Sequence, residues 1–196
     1  MNRPHLVVID PGHGGADPGA INPRLVSVYE KNITLSLAQK FKDIALAGDY
    51  LFDVKLTRET DSYVSLDDRV KIANSLNADV FLSFHCNAAE DTRAEGFEVW
   101  TSLGTTAADI LADELFFELK SAMPDHKGRV DFDDGDADKE SNFYVLRNTK
   151  MPAVLIEFEF ISNNEQAWFL INESNQSKLA KAVAEAVEYF LESGGV

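Results

Sequence analysis

A single cysteine, Cys86, is all the thiol chemistry these 196 residues possess. One thiol closes no internal bridge and builds no multi-cysteine metal cage, which excludes disulfide scaffolds and zinc-ribbon domains. Positive charge is also scarce: 18 Lys and Arg stand against 33 Asp and Glu, a net charge of −15. A field of that sign repels phosphate backbones and anionic headgroups, so nucleic acid is not an expected partner, and mutual repulsion makes a monomer the expected state. No apolar run approaches the roughly 18 to 20 residues that cross a bilayer, so no transmembrane segment is expected. Met1 to His5 leads straight into Leu6 to Ile9 without a charged region, a long apolar stretch or a cleavage site, so no signal peptide is expected in this chain.

Several catalytic devices are missing as well. Gly12-His13-Gly14-Gly15 lacks both the G-x-G-x-x-G spacing and a Walker lysine, so it is no phosphate cradle. There is no G-x-S-x-G elbow, and neither Ser83 nor Ser141 stands in a nucleophile context. Cys86 adjoins His85, but neighbours on a strand face opposite ways, which argues against a Cys and His catalytic pair and makes Cys86 a small buried residue.

What is present is an alternation of strand and helix signals. Leu6 to Asp10 is a short apolar run closed by Pro11, Gly12, Gly14 and Gly15, a buried strand emptying into a loop. Ile33, Leu37, Phe41 and Ile44 mark one face of a helix over 30–46, with Glu30 in its first turn. Phe52 to Thr57 reads as a strand. Ser65 caps a helix carrying Leu66, Val70, Ala73 and Leu76, which leads to the apolar strand Asp79 to Phe84 and leaves His85 just beyond it. Phe97 to Thr101 follows as a strand, then a helix over 105–122 with Ile110, Leu111, Leu115 and Leu119 on its inner face. Residues 125–140 carry seven carboxylates and three basic residues and read as a solvated loop. Phe143 to Leu146 and Ala153 to Phe160 read as strands, and Gln176 to Leu191 as a closing helix.

The alternation predicts an α/β fold: a three-layer αβα single domain over 1–196, with a mostly parallel twisted central sheet flanked by helices and no separate second domain. Sites in such sheets lie beyond the carboxyl ends of the strands, where His13, His85 and Glu157 become neighbours. Taken singly, His13 reads as a turn residue, His85 as a structural histidine and Glu30 as a helix-dipole partner. Together, two imidazoles and a carboxylate are the protein half of an open zinc site. Glu157 interrupts the apolar run Ala153 to Ile156, where a carboxylate must be paired, protonated or metal-bound.

The ordered set of segments resembles the zinc-dependent N-acetylmuramoyl-L-alanine amidases of the Amidase_3 family, which includes cell-wall amidases and catalytic domains of phage endolysins. The resemblance rests on Val8-Ile9-Asp10-Pro11-Gly12-His13-Gly14-Gly15, Glu30-Lys31-Asn32, Thr57-Arg58 with Asp61 and Leu66 to Arg69. It continues through Ala78 to Ala88, Gly96-Phe97-Glu98-Val99, Val145-Leu146-Arg147 and Pro152 to Glu157. It implies His13, Glu30 and His85 as zinc ligands and Glu157 as the catalytic carboxylate. The implied reaction hydrolyses the amide between the lactyl group of N-acetylmuramic acid and L-alanine in peptidoglycan, at the cell wall, in the periplasm or outside the cell.

The rival readings are a metal-free wall-binding module on the same fold and a zinc peptidase cutting stem peptides. Asp10 and Asn87, beside the ligands, read either as groups that orient them or as turn caps. Arg147 reads either as a contact to substrate carboxylates or as half of an ion pair. Glu159 stands where the family pattern has glycine, either as a like-charged neighbour of Glu157 or, as favoured here, turned to solvent. Some exported relatives carry a helical insertion that plugs the cleft. Residues 123–141 lack the apolar period of such a helix, so an open, constitutively competent cleft is expected.

Overall fold

The computed structural model describes residues 4–132 and 137–195. Six strands form one sheet: β1 (His5–Pro11), β2 (Phe52–Leu56), β3 (Val80–Asn87), β4 (Glu98–Thr101), β5 (Lys139–Glu140) and β6 (Ala153–Phe160), in the order β2-β1-β3-β6-β4-β5. β2, β1, β3 and β6 run parallel, whereas β4 is antiparallel to β6 and parallel to β5. The helices are α1 (Glu30–Ala47), α2 (Leu66–Ser75), α3 (Ala107–Ala122), α4 (Tyr144–Asn148), α5 (Asn164–Ile171) and α6 (Glu173–Glu192).

Strand alternation divides the core into two layers. Val7, Ile9, Leu82, Phe84 and Ile156 face the larger one, filled by Leu37 and Phe41 of α1, Leu111 and Leu115 of α3, and Val183 and Val187 of α6. Val8, Phe81 and Leu155 face the smaller one, closed by Val70 and Ala73 of α2 and Val145 and Leu146 of α4. The three-layer α/β expectation therefore holds. Ser65 caps α2 by accepting the Asp68 N–H, as its position before the apolar period requires.

Three local expectations are corrected, and one helix is added. Phe143 to Leu146 belongs to α4 and its N-cap rather than to a strand, because a short apolar run has too few residues for its period to separate a strand from one buried helical turn. Ile110 is exposed: the buried face of α3 runs through Ala108, Leu111, Ala112, Leu115 and Leu119. The short helix α5, with only Ala167 and Leu170 buried, had no sequence reading at all. β3 continues through His85 to Asn87, so His85 lies within the strand and not beyond its end. Within the acidic stretch, Lys139 and Glu140 add an edge strand to the sheet. Its other described residues form no helix, and 133–136 lie outside the described residues.

Candidate active site

His13 occupies the loop that leaves β1, with its backbone in the left-handed region (φ 62°) that non-glycine residues rarely adopt. The loop is held from below by guanidinium groups. Arg58 donates from Nε to the Pro11 carbonyl (2.9 Å) and from Nη2 to that of Gly12 (2.9 Å), and Arg69 donates from Nη2 to that of His13 (2.7 Å). Asp10 anchors Arg69 (2.6 Å) and also accepts Thr57 Oγ1 (2.6 Å) and Ser83 Oγ (2.9 Å). Asp10 thus touches neither histidine ring and acts on the loop through Arg69.

The unusual backbone directs His13 Nε2 to Glu30 Oε2 (3.1 Å), while Nδ1 meets Asp17 Oδ2 at 2.9 Å. Glu30, at the first position of α1, is 3% exposed. Its Oε1 accepts the Cys86 N–H (3.0 Å) and faces His85 Nδ1 (2.9 Å), and its Oε2 accepts the Ala20 N–H (2.8 Å). Two glycines make this approach sterically feasible: a Cβ on Gly12 would lie 2.3 Å from the His85 ring, and one on Gly19 would lie 2.6 Å from Glu30 Oε2. One donor atom from each of His13, Glu30 and His85 falls within 4.8 Å of the others, the spacing of ligands around one ion. Cys86 turns into the core beside them, and its burial pushes the thiol pKa far up.

The electrostatics of the cluster favour a cation. Burial opposes ionisation of Glu30, yet hydrogen bonds from both imidazoles and their charge hold its carboxyl far below the usual range. Burial likewise disfavours a charged His13, but Glu30 and Asp17 override it and raise the pKa to about 9. His85 is raised against burial by Glu30 and by the charge of Glu157.

Glu157 is paired in register with His85 across β6 and β3. Burial, with the charges of Glu30 and Glu98 added, pushes its pKa up to about 7, against the opposing pull of the histidines. Its Oε2 is buried without a hydrogen-bond partner. A cleft of about 450 Å³ opens here, lined by His13, His85 and Glu157 with Tyr63, Phe143 and Tyr144 on its walls.

The remaining sequence candidates lie apart from the ion-sized cluster. Asn87 donates to Glu98 Oε2 (3.0 Å) and accepts the Ala88 N–H (2.8 Å). Arg147 is exposed, donates to Asn142 Oδ1 (3.2 Å), stacks on Tyr144, and lines a second cavity with Ser102 and Lys150. Glu159 does not turn to solvent. It is fully buried, with Oε2 accepting the Gly96 N–H (2.7 Å) and Oε1 meeting His126 Nδ1 (2.9 Å). The cause is a bulge: His85 pairs with Glu157 and Asn87 with Phe160, so Phe158 and Glu159 together oppose one residue of β3 and the alternation of faces shifts.

Asp17 was not among the sequence candidates, and Arg58 and Arg69 appeared only as parts of a motif. Four residues beyond His13 in a glycine-rich loop, Asp17 offers the one readable signal, an acid close enough in sequence to reach the second ring nitrogen.

The description N-acetylmuramoyl-L-alanine amidase, family Amidase_3, matches residues 7–189. The chain belongs to this amidase family. The endolysin of Bacillus phage SPP1 is 35% identical over 201 residues, covering 97% of this chain and 69% of the relative. The sporulation-specific N-acetylmuramoyl-L-alanine amidase of Bacillus subtilis (strain 168) is 37% identical over 186 residues, covering 93% and 66%. Among solved structures, the N-acetylmuramoyl-L-alanine amidase from Clostridium difficile 630 superposes with a TM-score of 0.88 at 34% identity, covering 96% of this chain and 97% of that one. The catalytic domain of CwlV from Bacillus (Paenibacillus) polymyxa var. colistinus gives 0.86 at 32%, covering 96% and 98%. This Amidase_3 chain spans roughly half to two thirds of the length of the curated relatives it matches. Among its described residues, no helix is long and apolar enough to cross a membrane.

Proposed function

We propose that this chain is a zinc-dependent N-acetylmuramoyl-L-alanine amidase, cutting the amide between the lactyl group of N-acetylmuramic acid and L-alanine of the stem peptide in peptidoglycan. The observation that carries the reading is the convergence of His13, Glu30 and His85 within 4.8 Å, beside a buried Glu157 oxygen that has no partner. Two imidazoles and one carboxylate are the donor set of a catalytic zinc site with an open position, and the unpartnered oxygen of Glu157 is a hydrogen-bond acceptor waiting for a proton-bearing group. These residues fit zinc.

His13, Glu30 and His85 would hold the ion, and Asp17 fixes the His13 ring through its far nitrogen, the arrangement that orients metal-bound histidines. When bound there, zinc would supply Lewis acidity to the scissile carbonyl and would acidify a water molecule at neutral pH. Glu157 accepts the proton of the attacking water at its free oxygen and returns it to the leaving nitrogen of L-alanine. In the metal-free protein burial raises the pKa of Glu157, which favours its holding a proton, while a cation bound beside it would favour release, so the carboxyl is placed to move a proton in both directions. The aromatic walls formed by Tyr63, Phe143 and Tyr144 give the substrate apolar surface on which to lie.

The substrate places the site of action at the cell wall, outside the cytoplasm, and residues 1–196 act as one catalytic domain and as a monomer. Zinc-loaded protein incubated with purified sacculi will release new L-alanine amino termini, identified by mass spectrometry of the soluble products. Products cut within the stem peptide would establish a peptidase instead, and absence of products from zinc-loaded protein would leave a binding module.

A further inference from the structure

On the far side of Glu157, the sheet carries a feature at odds with the charge of the whole chain. β4 sets Glu98 opposite Glu157 and Trp100 opposite Leu155, and β5 sets Lys139 opposite Trp100. Residues in register on neighbouring strands share a face, so His85, Glu157 and Glu98 form one row across the sheet, with Trp100 and Lys139 in the next. Glu98 is almost fully buried and saturated. Its Oε1 takes Arg129 Nε (2.5 Å) and Lys139 Nζ (3.0 Å), and its Oε2 takes Asn87 Nδ2 (3.0 Å) and Trp100 Nε1 (3.1 Å). Two cations therefore converge on one carboxylate in a protein of net charge −15.

Arg129 is the more exposed member of the pair. Its Nε is committed to Glu98 and its guanidinium lies 5.2 Å from the centre of the Phe160 ring. Among the described residues, no acceptor takes its terminal nitrogens, and 35% of the side chain is exposed. A guanidinium braced at Nε and partly exposed carries the fork that takes a carboxylate through two parallel hydrogen bonds. Lys139, over the Trp100 ring at 5.1 Å, adds charge to the same shelf.

We infer that Arg129, braced by Glu98 and flanked by Lys139, is the subsite that binds a carboxylate of the stem peptide during cleavage at Glu157. The inference rests on the amidase reading and adds a specificity to it. Adjacent strands lie about 4.8 Å apart, so the shelf stands roughly 10 Å from Glu157. An extended peptide covers that span in about three residues. Charge recognition at this range can act only on the peptide side, because the lactyl carboxyl of the sugar is consumed in the amide that is cut.

The test uses the zinc-loaded protein and two N-acetylmuramoyl-peptides that differ only in whether the stem-peptide carboxyl groups are free or capped as carboxamides. The wild type is expected to favour the free acid by about tenfold in kcat/KM, chiefly through KM. Arg129→Gln is expected to bring that ratio to about one. Arg129→Lys, which keeps the charge and loses the fork, should fall between. Circular dichroism and zinc content establish that each variant is folded and loaded. A wild-type ratio near one, or a ratio unchanged in Arg129→Gln, overturns the subsite. Cleavage of neither peptide by the loaded wild type overturns the amidase reading itself, a result distinct from an indifferent ratio.

Discussion

Glu157 and Glu159 leave the same strand two residues apart, and each lies near a histidine, but their surroundings differ in one respect. Around Glu159 both oxygens of the carboxylate have a partner, the Gly96 N–H and His126, and the residue is fully buried. Around Glu157 an oxygen is left over, next to a cluster whose carboxylate draws two imidazoles toward one point. Both acids have pKa values raised first by burial. A raised pKa therefore does not distinguish the catalytic acid from the structural one. Unsatisfied capacity facing a cleft does, since a fully bonded carboxylate fastens the fold and a partly bonded one remains available to a substrate.

Substitutions at the two positions should separate cleanly. Glu157→Gln removes the proton carrier without disturbing the three ligands, so zinc stoichiometry should hold while kcat falls by about 10² to 10⁴. Near-normal turnover would take Glu157 out of the mechanism. Glu159→Ala strands His126 and the Gly96 N–H in a buried setting and should cost roughly 2 to 3 kcal/mol of stability, read by urea denaturation, with zinc still bound. A change below a few tenths of a kcal/mol would mean that the Glu159 contacts hold nothing in place.

A smaller effect concerns protons at the metal cluster. His13 has a folded pKa of about 9 against an ordinary 6.5, so in the metal-free protein its contribution to stability is fully present below about 6.5 and is lost as pH rises through about 9. Zinc must displace that proton. Apparent zinc affinity should therefore rise by about tenfold per pH unit between pH 7 and 9, with proton release seen by calorimetry in buffers of differing ionisation heat. A flat profile would mean that His13 is not a ligand.

Much of this arrangement was legible in the sequence because it depends on local signals. The glycines around His13 and the apolar run ending at Glu157 identified strand ends, and parallel topology brought those ends together. Glu30 emerged from its place at the head of an amphipathic helix together with the family resemblance. Other features depend on contacts between distant residues. The link from Asp10 through Arg69 to the His13 carbonyl joins two segments more than fifty residues apart, and no period or spacing announces it. The inward turn of Glu159 depends on a bulge that shifts the face of every residue after it, while the sequence still reads as plain alternation. α4 was missed because one helical turn is shorter than the window in which a period can be recognised.

The central claim is that His13, Glu30 and His85 share one zinc ion, and X-ray absorption at the zinc edge reads that donor set directly. The account predicts nitrogen and oxygen scatterers only, at about 2.0 to 2.2 Å, with the imidazole signal of two histidines reduced to that of one in His85→Ala. A sulfur shell near 2.3 Å, or a wild-type spectrum unchanged in His85→Ala, would contradict it.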